Sequence, residues 1–136
     1  MTLAEVMHVH IPTLEPDSTF RDAVDKMDIY QFPGLVVVDH DKTPIAVVTE
    51  GDLTRATDQN REMLSLSGRK VADFGTPSPT TANPAMEVAD ALDMMISRGL
   101  SLLPIVMDNR LAGVVLRVDL MQALLMDAST PLPDRD

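Results

Sequence analysis

The chain has 136 residues, 45% apolar but only 3% aromatic, with ten Met. This is enough for one compact domain or two small units, with an interior of Leu, Val, Ile and Met. Eleven basic residues against 21 acidic ones give a net charge of −10, a field that repels nucleic acid and anionic membrane yet leaves room for a small anion held by local donors. The absence of Cys excludes disulfides, a thiolate nucleophile and a Cys-ligated metal, and no signal peptide or apolar run near ~20 residues is seen, so a soluble, cytoplasmic protein is expected.

His8 and His10 alternate on an extended opening segment; two His without a third ligand point to an exposed pair rather than a metal site. Phe20, Ala23, Val24 and Met27 then follow helical spacing, with Arg21, Asp22, Asp25, Lys26 and Asp28 outward and Asp17 or Ser18 as the expected N-cap. Gly34–Asp39 and Pro44–Thr49 are β-branched apolar runs around a turn at His40–Thr43, a hairpin signal. A helix is expected over Gly51–Thr57, then a polar connection over Thr57–Lys70, with Val71–Phe74 as the last turn of a short helix. A second amphipathic stripe follows in Val88, Ala89, Leu92, Met95 and Ile96, for which Asn83 would cap and Pro84 would take the first helical position. Leu102–Met107 and Leu111–Leu116 form a second hairpin around Asp108–Arg110. The last helix, Arg117–Ala128, is apolar on more than one face: it is either central to the core or an interface with a second copy. The tail, Ser129–Asp136, holds two Pro and two Asp and is expected to fray.

These elements repeat. At an offset of 68 the matches include Thr13/Thr81, Pro16/Pro84, Asp22/Asp90, Ala23/Ala91, Met27/Met95, Leu35/Leu103 and Val38/Val106. One residue then drops out near His40–Thr43, and the register resumes at 67 with Val47/Val114, Val48/Val115, Asp52/Asp119, Leu53/Leu120 and Ala56/Ala123. Each copy is one supersecondary unit that cannot bury its apolar face alone. The expected layout is a first repeat at 1–60, a linker at 61–70, a second repeat at 71–128 and a flexible tail at 129–136.

Asp52 and Asp119 occupy equivalent places, where a buried strand turns into a helix. A carboxylate there can balance the helix dipole, accept backbone N–H bonds, or accept two hydroxyls from a vicinal diol such as a ribose. Thr49 can cap its helix or face a phosphate or sugar oxygen, whereas its counterpart Leu116 can do neither. Arg55 and Arg117 are the nearest basic groups, each a surface residue or a phosphate contact. No Ser/His/Asp arrangement, Gly-rich phosphate loop or carboxylate pair suggests catalysis, so no enzyme activity is expected.

Ala46-Val47-Val48-Thr49-Glu50-Gly51-Asp52 and Gly113-Val114-Val115-Leu116-Arg117-Val118-Asp119 are each one residue away from G-h-h-T-x-x-D, where h is apolar. Leu35-Val36-Val37-Val38-Asp39 and Leu103-Pro104-Ile105-Val106-Met107-Asp108 lie close to L-P-V-V-D. On these motifs the chain, from about Leu3 to Met126, resembles a stand-alone pair of CBS domains, named for cystathionine β-synthase. The resemblance implies an α/β fold of two pseudo-symmetric β-α-β-β-α repeats packed sheet to sheet, with two clefts between them. It implies a regulatory module that takes AMP, ADP, ATP or S-adenosylmethionine and reports occupancy to a partner enzyme or transporter, with AMP favoured by the negative charge. Asp52 and Asp119 would then accept from ribose hydroxyls, and Thr49 would contact phosphate or ribose; Arg117, a basic group nearest these turns, is counted with the ligand-binding residues. Thr13 and Thr81 would lie near the base, beside backbone groups of Leu35, Val36, Leu103 and Pro104. A homodimer through the helices after each hairpin is also implied. Leu116 removes a hydroxyl from the second cleft, and Ala46 is expected to narrow the first. The alternative is a ligand-free dimerisation or docking module.

Overall fold

The computed structural model describes residues 1–127. In chain order the elements are α1 (Leu3–Val6), β1 (Thr13–Leu14), α2 (Phe20–Tyr30), β2 (Gly34–Val38), β3 (Pro44–Thr49), α3 (Glu50–Gln59), α4 (Met63–Ser67), a 3-10 turn (Val71–Phe74), β4 (Thr76–Pro77), α5 (Val88–Ser97), β5 (Leu102–Met107), β6 (Arg110–Leu116) and α6 (Arg117–Met126). They form two pseudo-symmetric repeats and two sheets. The expected tail lies outside the described residues.

The two compact units are not successive halves of the chain. Pro12–Pro79 makes one, and Met1–Ile11 joins the chain from Thr80 onward to make the other. In the Pro12–Pro79 unit the strand order is β1-β2-β3-β4, with β1 parallel to β2 and the other pairs antiparallel. In the other unit β5 and β6 form the hairpin, flanked by single bridges from Ala82 to Ile105 (parallel) and from His8 to Val114 (antiparallel). The hairpins superimpose in register: Gly34 opposite Thr49 corresponds to Leu102 opposite Leu116, and both ladders shift one step before Pro44 and Leu111.

The one-residue gap between the copies is a difference in turn chemistry. In the first hairpin Asp39 Oδ1 accepts from the amides of Asp41 and Thr43, both at 2.9 Å, while Lys42 takes a left-handed φ of 68°. The second hairpin closes with only Asp108 and Asn109, both left-handed at φ 53° and 64°. That is the two-residue turn whose twist suits paired strands, and Asp and Asn tolerate the conformation best among residues with a Cβ.

Each unit has its own core. Leu14, Phe20, Ala23, Leu35, Val37, Val48, Leu53 and Leu66 are buried in one; Leu3, Val88, Leu92, Met95, Leu103, Ile105, Val115 and Leu120 are buried in the other. Leu3 is fully buried, and burial of such a side chain contributes roughly 1.5–3 kcal/mol to holding α1 on the second repeat's hairpin. Two close backbone approaches complete this arrangement. A Cβ on Gly113 would stand 2.5 Å from the His8 carbonyl oxygen, and one on Gly75 would stand 2.7 Å from that of Val47.

Several local expectations are corrected. The N-cap of α2 is Thr19, not Asp17 or Ser18: its hydroxyl accepts from the Asp22 amide at 3.2 Å, and Asp22 Oδ2 accepts from the Thr19 amide at 2.9 Å. That backbone bond holds the Asp22 carboxyl below its ordinary range. Ser18 instead accepts from the Glu15 amide. Asn83 caps a turn rather than α5, accepting from the Ala85 amide at 2.8 Å, and α5 begins only at Val88 after Glu87. The carbonyls of Pro84 and Met86 accept from Ala4 and Leu3, so this turn serves the start of α1. The polar connection contains α4, whose Leu66 reaches the core.

Candidate functional site

Strand β3 ends at Thr49, whose extended backbone makes it the N-cap of α3. Its hydroxyl accepts from the Asp52 amide at 3.3 Å, and Asp52 Oδ2 accepts from the Thr49 amide at 2.9 Å. This reciprocal capping box satisfies two of the amides that a helix start leaves unpaired. Arg55, one turn on, donates through Nη2 to Asp52 Oδ1 at 2.5 Å. Asp52 is buried, and it is fully compensated by the helix dipole, a backbone donor and a guanidinium. The structural roles expected for Thr49 and Asp52 are therefore both filled. The carboxylate still has capacity: it offers about four acceptor positions, and each oxygen has used one. Thr49 also keeps its hydroxyl hydrogen for donation.

At the equivalent turn, Leu116 brings no acceptor, so only half a box forms: Asp119 Oδ2 accepts from the Leu116 amide at 2.8 Å. The Asp119 carboxylate takes a second donor from elsewhere. His8 Nε2 lies 2.9 Å from the same Oδ2, across 111 positions of sequence. A carboxylate only accepts, so this bond places the imidazole proton on Nε2. His8 was the residue that sequence reasoning missed. Its alternation with His10 marks an extended strand, but nothing local indicates that the opening segment crosses to the second hairpin.

The remaining site candidates divide by unit. Thr13 is half-buried and sits across from Val36 in the parallel pair, and its carbonyl accepts from Lys26 Nζ at 2.6 Å. Leu35 and Val36 are buried, as are Leu103 and Pro104, backbone and side chain alike. The Pro104 carbonyl accepts from the Ala82 amide at 3.0 Å, which brings the exposed Thr81 beside β5. Thr81 lines an open groove with Asn83, Met86, Met94 and Asn109. A groove of the Pro12–Pro79 unit is lined instead by Phe20, Val24, Met27, Phe32, Leu53 and Met63 and includes neither Thr49 nor Asp52. Arg117 is not aimed at Asp119: its Nε donates to the Leu100 carbonyl at 2.6 Å.

The CBS domain family model matches this chain twice, over residues 3–58 and 71–126. The chain belongs to the CBS domain family. The two matches make it a tandem pair of CBS domains. Among solved structures, CBSX2 in complex with AMP superimposes with a TM-score of 0.81 at 25% identity, over 93% of this chain and 98% of that one. Among curated relatives, inosine-5′-monophosphate dehydrogenase of Methanocaldococcus jannaschii is 30% identical over 119 residues, covering 87% of this chain and 22% of its own. The arabinose 5-phosphate isomerase KdsD of Yersinia pestis is 32% identical over 126 residues, covering 90% of this chain and 37% of its own. The CBS pair thus spans well under half of either enzyme. Among the described residues no helix is long and apolar enough to cross a membrane, and no group of three or more His, Asp or Glu is placed to hold a metal ion.

Proposed function

We propose that this CBS pair is a small-molecule sensor that binds an adenosine-containing ligand and passes its occupancy to a partner protein. The observation that carries the reading is the pair of equivalent carboxylates, Asp52 and Asp119, each fixed at a strand-to-helix turn with acceptor positions to spare. A ribose diol brings two adjacent hydroxyl donors, which the two oxygens of such a carboxylate can accept. Similarity to CBSX2, solved with AMP, supports an adenine nucleotide, and the charge of −10 favours AMP over ADP or ATP. S-adenosylmethionine carries the same diol. Thr49 adds a donor in the first repeat, and the backbone beside Thr13, Leu35, Val36, Thr81, Leu103 and Pro104 would receive the base. AMP at ~100 times its dissociation constant should add ~2.7 kcal/mol of stability. Asp52→Asn together with Asp119→Asn should abolish that shift; a shift unchanged in the double variant refutes the reading.

A second reading, a ligand-free dimerisation or docking module, draws on α6. Leu120 and Ala123 are buried, but Val118 and Leu125 are 58% and 76% exposed, with Met121 between them on the same face. The outer face of α3 is polar by contrast, with Glu50, Thr54, Arg55 and Asp58. The sensor reading includes a homodimer through α6; light scattering should return twice the monomer mass, and Leu125→Glu should halve it. A dimer that shows no thermal shift with any adenosine compound would favour the docking module alone.

A further inference from the structure

The two carboxylates differ in how their acceptor positions are already used. Asp52 has one bond on each oxygen, from the Thr49 amide to Oδ2 and from Arg55 to Oδ1. Asp119 has both of its bonds on Oδ2, from the Leu116 amide at 2.8 Å and from His8 Nε2 at 2.9 Å. With two lone pairs, that oxygen is full, while Oδ1 has no partner among the described residues. A diol that places one hydroxyl on each oxygen fits Asp52 as it stands. At Asp119 it needs one donor to leave Oδ2. The Leu116 amide is fixed by the start of α6, so His8 is the donor that can leave. Its ring is also the more open side of the pair, with side-chain exposures of 42% for His8 and 18% for Asp119.

We propose that His8 gates the second repeat's site: its imidazole competes with the ligand diol for Asp119 Oδ2, and the site accepts an adenosine ligand only when that bond is released. The inference rests on the sensor reading above. It also makes the two sites respond differently to pH. A guanidinium does not change charge in the physiological range, whereas an imidazole is the side chain that does. An imidazolium holds a carboxylate more tightly than a neutral ring does, so the gate is firmest in mild acid and loosest above neutrality. The other charged groups on the packed elements are placed as follows. Glu5 of α1 accepts from the Thr2 amide, and Arg117 of α6 is held by the Leu100 carbonyl. Arg110 lies at the hairpin end of β6, and Asp127 lies beyond the last turn of α6. His10 is two residues further along the opening segment.

The gate also links the site to the chain's opening segment. The His8 amide and carbonyl exchange bonds with Val114 at 2.9 and 3.0 Å, so the ring is presented only while this segment stays docked on β6. The test is calorimetric titration of AMP at pH 5.5 and 8.0 with Asp52→Asn as the background, which leaves the Asp119 site alone. With His8 present, affinity should be several-fold weaker at pH 5.5 than at pH 8.0, beyond any slope that persists in His8→Ala and belongs to the phosphate. His8→Ala should bind more tightly than its parent at both pH values. His8→Gln keeps a donor without a titrating ring, so it should lose the extra slope and bind close to the parent at pH 8.0. Equal affinity and equal slope with and without His8 overturn the gate while leaving the sensor reading intact. Absence of AMP binding in all the variants, including His8→Ala, overturns the gate, and its absence in the unmutated chain as well overturns the sensor reading.

Discussion

The two repeats share a strand register residue for residue, yet they hold the start of the following helix in different ways. In the first, Thr49, Asp52 and Arg55 close on one another within two turns of chain. In the second, Leu116 cannot cap, and Asp119 is held by His8 from 111 positions away. Local closure makes the first turn self-sufficient, whereas the second depends on a segment that must dock first. The glycines show the same inversion. The opening segment meets β6 where the hairpin supplies Gly113, whereas in the Pro12–Pro79 unit the hairpin has Ala46, and Gly75, on the segment leading into β4, supplies the close approach to Val47. Gly113 and Ala46 are equivalent positions, as are Met7 and Gly75. Ala46, expected from sequence to narrow a ligand cleft, is thus opposite Pro77 in a strand pair that obtains its room from the other side.

Breaking the long-range arrangement should have the largest effect. Gly113→Ala places a methyl 2.5 Å from a backbone oxygen, which forces the opening segment to shift. It should destabilise by about 1–3 kcal/mol, read from the midpoint of chemical denaturation. Ala46→Gly at the equivalent position of the first repeat should cost only about 0.5–1 kcal/mol through backbone entropy. Equal effects at the two positions would deny the inversion. A smaller contrast lies in the caps. Thr49→Ala should lose ~1 kcal/mol, while Leu116→Thr completes the half-formed box and should gain a few tenths to ~1 kcal/mol by the same measurement.

Much of the fold was legible because the pattern was written twice. The matched hairpins and the carboxylates at Asp52 and Asp119 follow from periodicity and from the offset of the two copies. The cap of α2 was misplaced by a residue within a local Thr19–Asp22 box, and that of α5 because its deciding contacts are not local. Phe20 donates to the Arg69 carbonyl, and the Asn83 turn is recruited by α1. The helix α4 was read as a loop because Met63–Ser67 is a five-residue segment with one core side chain, too short for periodicity to register. The candidate site was half legible for the same reason. Thr49 and Asp52 announce themselves at capping-box spacing, while the His8 contact arises only from the crossing of the opening segment.

The central claim is that these carboxylates receive a ribose diol, and the most direct measurement removes the diol from the ligand. Calorimetry should show AMP binding at least tenfold more tightly than 2′,3′-dideoxy-AMP, with that advantage lost in the Asp52→Asn, Asp119→Asn double variant. Equal affinity for the two nucleotides would contradict the account.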